Sequence, residues 1–254
     1  MQEPGKVVEI IEKSGKLPEG DDERFTGYGV MGVPFRSGHV LCLRRFPVTS
    51  IGRGYTSVWH RDPGGCWTFI QDVPPQNGCS RYFGSAVDRS LVQDIRIEWS
   101  SPWSFSVDTR GEHPVHWQVQ LGHTKLSDLM NAAAGCLPDA LWRSEALLRA
   151  IGKAGSLVLG AGRMNLIGAV PNGQRFRANP KRIWVIEYSR ANVCGRDLGE
   201  IGPLAEQVRL GDFWIPQRGR FFTGSSYLEP FDAARHVSVT SRGGGSGDRC
   251  IACA

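Results

Sequence analysis

Val58-Trp59-His60-Arg61-Asp62-Pro63-Gly64-Gly65-Cys66-Trp67-Thr68-Phe69 reads as two strands folded about a tight turn. Asp-Pro-Gly-Gly supplies one residue with fixed φ and two that tolerate positive φ, and aromatic and β-branched residues occupy both arms. Side chains alternate along a strand, so Tyr55, Ser57, Trp59 and Arg61 share one face while Thr56, Val58 and His60 share the other.

The same texture extends in both directions. Residues 39–46, 55–61, 67–72, 94–99, 103–108 and 115–121 are short aromatic or β-branched runs, separated by clusters such as Pro74-Pro75-Gln76-Asn77-Gly78 and Arg110-Gly111-Glu112. Connections this short imply antiparallel neighbours. The period then changes. Leu126, Leu129, Met130 and Ala133, followed by Leu141, Trp142, Leu147, Leu148 and Ile151, recur at helical spacing, which predicts helices over 125–134 and 139–153 with Ser127 and Asp139 as caps. Strand texture returns at 163–170, 174–178 and 182–189, with a hairpin turn at Pro171-Asn172-Gly173, and one or two further strands are expected within 211–229. The expected organisation is a flexible lead-in over 1–24, an antiparallel β domain over 25–235 with a helical insert at about 125–153, and a disordered tail over 236–254. The β domain is read as a curled antiparallel sheet or a lipocalin-like β-barrel.

With 254 residues, 41% of them hydrophobic, the chain can bury a large core. Its formal charge of +5 comes from 30 basic residues scattered among 25 acidic ones, a weak basis for nucleic-acid binding. No apolar run reaches the length of a membrane span and no export signal opens the chain, so a soluble, cytoplasmic protein is expected, with oligomeric state open. The seven cysteines include five that are far apart, which reads as reduced thiols, and Cys250-Ile251-Ala252-Cys253 reads as a tail pair without the second pair of a structural zinc site.

Parity sorts the chemistry. Trp67, Phe69, Ile95, Ile97, Trp99, Trp103, Phe105, Val115, Trp117 and Val119 form an aromatic side; Asp72, Glu98, Asp108, His116, Gln118 and Gln120 form a polar one. The aromatic side is either ordinary core or, in a curled sheet, the lining of a cavity for one apolar ligand. In the second reading Trp59, Trp67, Trp99, Trp103 and Trp117 bind the ligand. His60, Glu98, Asp108 and His116 are then the acid–base candidates, on the condition that a bulge turns some of them inward. Neither a metal set nor a cofactor motif is present in the sequence: His113 and His116 differ by an odd number, and Gly160-Ala161-Gly162 is too short for a dinucleotide loop.

The strands around Trp59-His60-Arg61-Asp62 and Trp67-Thr68-Phe69, with Ile97-Glu98-Trp99, Trp103-Ser104-Phe105-Ser106-Val107 and His116-Trp117-Gln118-Val119-Gln120-Leu121, resemble the lipocalin-like group of carotenoid hydratases, tocopherol cyclases and related natural-product cyclases. That resemblance implies a cofactor-independent lyase or isomerase acting on a terpenoid-, steroid- or polyketide-like molecule. The alternative is a non-catalytic carrier of a hydrophobic ligand.

Overall fold

The structure is a computed structural model that describes residues 2–137, 141–158, 160–239 and 250. It is mainly β. Helix α1 (Pro4–Ser14) precedes strands β1 (Glu23–Pro34), β2 (Val40–Thr49), β3 (Tyr55–Arg61) and β4 (Trp67–Gln71). A short helix α2 (Ser80–Phe83) leads to β5 (Arg89–Val92), β6 (Asp94–Ser101), β7 (Ser104–Arg110) and β8 (Val115–Gly122). Helices α3 (Lys125–Cys136) and α4 (Glu145–Val158) form the insert. Strands β9 (Ile167–Ala169), β10 (Arg175–Val193), β11 (Arg196–Asp197), β12 (Arg209–Leu210), β13 (Phe213–Trp214) and β14 (Arg220–Leu228) complete the chain.

The main sheet runs β5-β4-β3-β2-β1-β14-β10-β8-β7-β6, with β9 and β11 also paired to β10. Among the described residues only β4 and β5 pair in parallel. Strands β5 and β6 stand at opposite ends of this order, yet Gln93 alone separates them in sequence. The sheet must therefore curl until its two edges meet at that corner, which gives a half-barrel rather than a closed barrel. Glycines permit the tightest approach in the curl: a Cβ at Gly27 would stand 2.0 Å from the Arg45 carbonyl oxygen, and the β1–β2 register shifts between Thr26 and Tyr28.

Two cores result, one on each face of the first strands. Along β2, Leu41 and Leu43 enter the interior of the curl, where they join Val30, Val58, Ile70, Phe105, Trp117, Trp184 and Phe221. The alternate residues Val40 and Cys42 enter a second cluster with Phe25, Tyr55, Trp59, Phe69, Phe83, Phe176 and Ile215. Because both faces are covered, β4 is buried throughout, as are Val40–Arg44 of β2 and Tyr55–His60 of β3. Strands β6 to β8 alternate instead, with one face to solvent.

The insert is helical as the periodicity predicts. Thr124, rather than Ser127, caps α3, with Ser127 completing the reciprocal pair of side-chain bonds three residues on. Asp139 lies outside the described residues. Of the predicted stripe, Leu148 is fully buried while Leu129 is 67% exposed. The turn at Asn172-Gly173 is present, with Gly173 at φ 97° and its N–H donating to the Val170 carbonyl at 2.8 Å. Strand β10 joins the two runs expected at 174–178 and 182–189 into one element from Arg175, with a register shift at Pro180 where the ring removes a ladder donor.

Two expectations need correcting, and one strand went unpredicted. Residues 4–14 form a helix whose Val8 is buried against the inner core and whose Glu12 pairs with Arg45, so most of the lead-in is docked. Strand β1, at the centre of the sheet, was hidden by its glycines. The thiols are not all reduced: Cys66 is joined to Cys250, and Cys194 is also in a disulfide, which leaves Cys42, Cys79 and Cys136 free. Cys253 lies outside the described residues. Among the described residues, no helix is long and apolar enough to cross a membrane.

Candidate functional site

Arg44 is the unusual residue of the second core. It follows Val40 and Cys42 on the same face of β2, so the pleat carries a guanidinium into a region otherwise filled by aromatic rings. The residue is 5% exposed. Its carbon lies 4.6 Å from the Trp59 ring centroid, 5.2 Å from Phe213 and 5.3 Å from Phe222. The guanidinium donates to the carbonyls of Val30 (a 2.5 Å contact), Leu43 (2.8 Å) and Met31 (3.4 Å). Among the described residues no carboxylate pairs with it, although a buried charge is ordinarily matched by one. Burial pushes the guanidinium pKa down from its ordinary range. Ring faces and carbonyl dipoles offset part of the desolvation cost, and among the described residues the positive charge meets no counterion.

This charge borders a cavity of about 70 Å³ lined by Phe25, Phe46, Tyr55, Trp59, Tyr82, Phe176 and Phe213, with Cys79 and Ser226 as further polar atoms. Tyr55 and Cys79 face each other across 3.4 Å from Oη to Sγ. Burial raises both of their pKa values, so each keeps its proton at neutral pH. Tyr82 donates to the Glu23 carboxylate at 2.5 Å, and that carboxylate also accepts from Arg81 at 2.6 Å and Gln174 at 3.2 Å. The neighbouring cation Arg81 is thereby neutralised, in contrast to Arg44.

The residues singled out by parity are spread over the molecule. Trp59 lines the cavity and stacks on Phe69 at 4.4 Å, and Trp67 meets the same Phe69 edge-on, with its ring in the second core. Trp99, Trp103 and Trp117 belong to the inner core instead. Alternation holds within each strand, but it does not carry across the β4–β6 connection, where strands from opposite ends of the sheet order are compared. The indole N–H groups of Trp59 and Trp117 are held by Ser57 at 3.0 Å and Ser189 at 2.8 Å, so neither is a free handle for a ligand.

None of the four acid–base candidates is on the cavity wall. Glu98 pairs with Arg96 at 2.6 Å, and Asp108 meets His116 at 2.6 Å; both pairs sit on the outer face of β6 to β8. His60 is buried elsewhere, in a chain of imidazoles. His39 Nδ1 lies 2.9 Å from His60 Nε2, and His60 Nδ1 lies 3.0 Å from His113 Nε2. His113 Nδ1 in turn lies 3.6 Å from Cys194 Sγ.

Three arginines near the Asn172-Gly173 hairpin are each engaged locally: Arg163 stacks on Trp214, Arg175 pairs with Glu145 and Arg177 pairs with Asp22. Of the cavity residues, parity singled out only Tyr55 and Trp59, and it missed the polar ones, Arg44, Cys79, Tyr82 and Ser226. For Arg44 a signal existed in the text, since it is a charge in phase with Val40 and Cys42 in a strand with no polar face.

No family model and no curated protein matches the chain. Among solved structures it is similar to the crystal structure of acetoacetate decarboxylase from Legionella pneumophila subsp. pneumophila str. Philadelphia 1, at 10% identity over 87% of this chain and 93% of that one, with a TM-score of 0.37.

Proposed function

We propose that this protein binds a small carboxylate with an apolar body in the aromatic cavity, the carboxylate meeting Arg44. The observation that carries the reading is a buried guanidinium with no carboxylate partner at the wall of an apolar cavity. A carboxylate is the ligand whose charge and planar fork match what Arg44 lacks. The rings of Phe25, Phe46, Trp59 and Phe176 suit an aliphatic or aromatic body. Size decides the scale of the ligand. A dry cavity of about 150 Å³ holds benzene with its six heavy atoms, so a cavity of about 70 Å³ suits roughly three heavy atoms, the apolar body of a short-chain acid. A terpenoid or steroid would need the cavity to expand several-fold, which weighs against hydration or cyclisation of such substrates.

Binding alone accounts for the site, in line with a carrier. A lyase or isomerase without a cofactor draws support from the Tyr55–Cys79 pair: both keep their protons, and Tyr55 could hand one to a carbon centre of a ligand whose carboxylate Arg44 holds. The two readings separate cleanly. Tyr55→Phe should abolish any turnover while leaving binding within about twofold.

The test is titration of butyrate and of butyramide, followed by tryptophan fluorescence and calorimetry. Butyrate should bind and butyramide should not, and Arg44→Met should lose butyrate by at least about a hundredfold. Equal affinity for acid and amide, or undiminished butyrate binding in Arg44→Met, would overturn the proposal.

A further inference from the structure

Sulfur and carboxylate ligands converge at the tip of the β3–β4 hairpin. Gly65 takes φ 93° in the turn, and the Asp62 carboxylate accepts the Cys66 N–H at 2.9 Å, which fixes Cys66 one residue ahead of β4. Asp88 reaches the same place because β5, which it precedes, pairs in parallel with β4. One of its oxygens accepts the Trp67 N–H at 2.9 Å, and its own N–H donates to the Trp67 carbonyl at 3.0 Å. The third group comes from the far end of the chain. Cys250 returns to Cys66 across 184 residues of sequence, with Cα atoms 5.4 Å apart. The two sulfurs and a carboxylate oxygen of Asp88 all lie within 4.8 Å of one another.

Two thiolates and a carboxylate make a ligand set for a borderline-soft dication. We propose that in the reduced chain Cys66, Cys250 and Asp88 hold a zinc-class divalent cation, which keeps Cys250 at the hairpin without the disulfide. The disulfide and the metal are then alternative states of one site. A dithiol gives two electrons and two protons to the Cys66–Cys250 bond and is itself oxidised to a disulfide. The cation then displaces both thiol protons to form two metal–sulfur bonds and one metal–oxygen bond, with water in the fourth position. A disulfide oxidant takes two electrons back and releases the metal. The three ligands bring three negative charges against two positive ones, and the Arg61 guanidinium beside Gly65 offsets the excess. The sequence alone lacked a partner for Cys250, and the fold supplies one from a hairpin 184 residues away.

The experiment is a cobalt(II) titration of the full chain after reduction with a phosphine, which itself forms no strong cobalt complex. Thiolate-to-cobalt charge-transfer absorption should saturate at one ion per chain and be displaced by zinc. The fully oxidised chain should show none. Cys66→Ser and Cys250→Ser should remove the band, and Asp88→Asn should weaken binding by at least about tenfold. Cys136→Ser, an exposed cysteine elsewhere, should leave it unchanged. Circular dichroism confirms folding, and Cys250→Ser alters no strand. A reduced, folded chain without the band, or a band that survives Cys250→Ser, would overturn the assignment.

Discussion

Lowering the pH from 8 to 5 should cost the fold about 4 kcal/mol through two histidines alone. His39, His60 and His113 are 4%, 5% and 2% exposed, and their rings contact one another rather than water. Desolvation, together with the neighbouring imidazoles, pushes the His60 pKa down to about 3. Desolvation and Arg89 push His113 down to about 4, against the opposing pull of Glu112 and Asp62. Desolvation lowers His39 as well, with Asp62 raising it and Arg196 lowering it. In the unfolded chain each titrates near 6.5. Below that pH the unfolded state binds protons that the folded state refuses, so stability is complete above about pH 6.5 and declines as the pH falls toward the folded values. At pH 5 the loss is about 2 kcal/mol for each of His60 and His113, and His39 adds in the same direction. Against a total of about 5–15 kcal/mol for a domain, this is a large fraction. The assay is urea unfolding at pH 8, 7, 6 and 5 with disulfides intact, repeated for His60→Gln and His113→Gln. Each variant should flatten the dependence by roughly half, whatever its own baseline stability. A stability that is level from pH 8 to 5, or a slope unchanged in both variants, would refute the reasoning.

Other outcomes follow from burial and close approach. Leu148→Asp should destabilise by about 3–5 kcal/mol in denaturant unfolding because it places a charge in a closed cluster with Trp142 and Leu166, whereas Leu129→Asp on the exposed side of α3 should stay within about 0.5 kcal/mol. Gly29→Ala, whose new methyl would stand 2.1 Å from the Leu43 carbonyl oxygen, should cost at least about 2 kcal/mol, read as a lower melting temperature. Trp59→Ala should weaken butyrate binding, while Trp99→Ala, in the inner core away from the cavity, should lower stability and leave the affinity of the folded protein unchanged. Sequential Trp fluorescence titrations of the two variants separate these effects.

The curled antiparallel sheet was legible because its turns are written in local chemistry. Asp62-Pro63-Gly64-Gly65 and Pro171-Asn172-Gly173 need no partner to act as turns, and the runs flanking them kept their alternation in the fold. Strand β1 was not legible, because Gly27, Gly29 and Gly32 erase the alternation there and acquire meaning only beside β2. The long-range closures were beyond local reading for the same reason. Nothing near Cys250 indicates Cys66, and nothing near His60 indicates His39 or His113.

The candidate site divides along the same line. Parity placed Trp59 correctly relative to its strand neighbours, yet it could not say that Trp59 and Trp117 face different cores, because that depends on the order of strands around the curl. Arg44 shows what a stricter use of the same rule would have yielded. In Val40-Leu41-Cys42-Leu43-Arg44 every residue but the last is apolar, which marks a strand buried on both faces. A charge in phase with Val40 and Cys42 then has no solvent face to occupy, and its side chain must enter the core. A core guanidinium without a carboxylate is costly enough that its retention calls for a compensating partner, and the aromatic cavity beside Trp59 and Phe213 is where an anion supplied from outside would meet it.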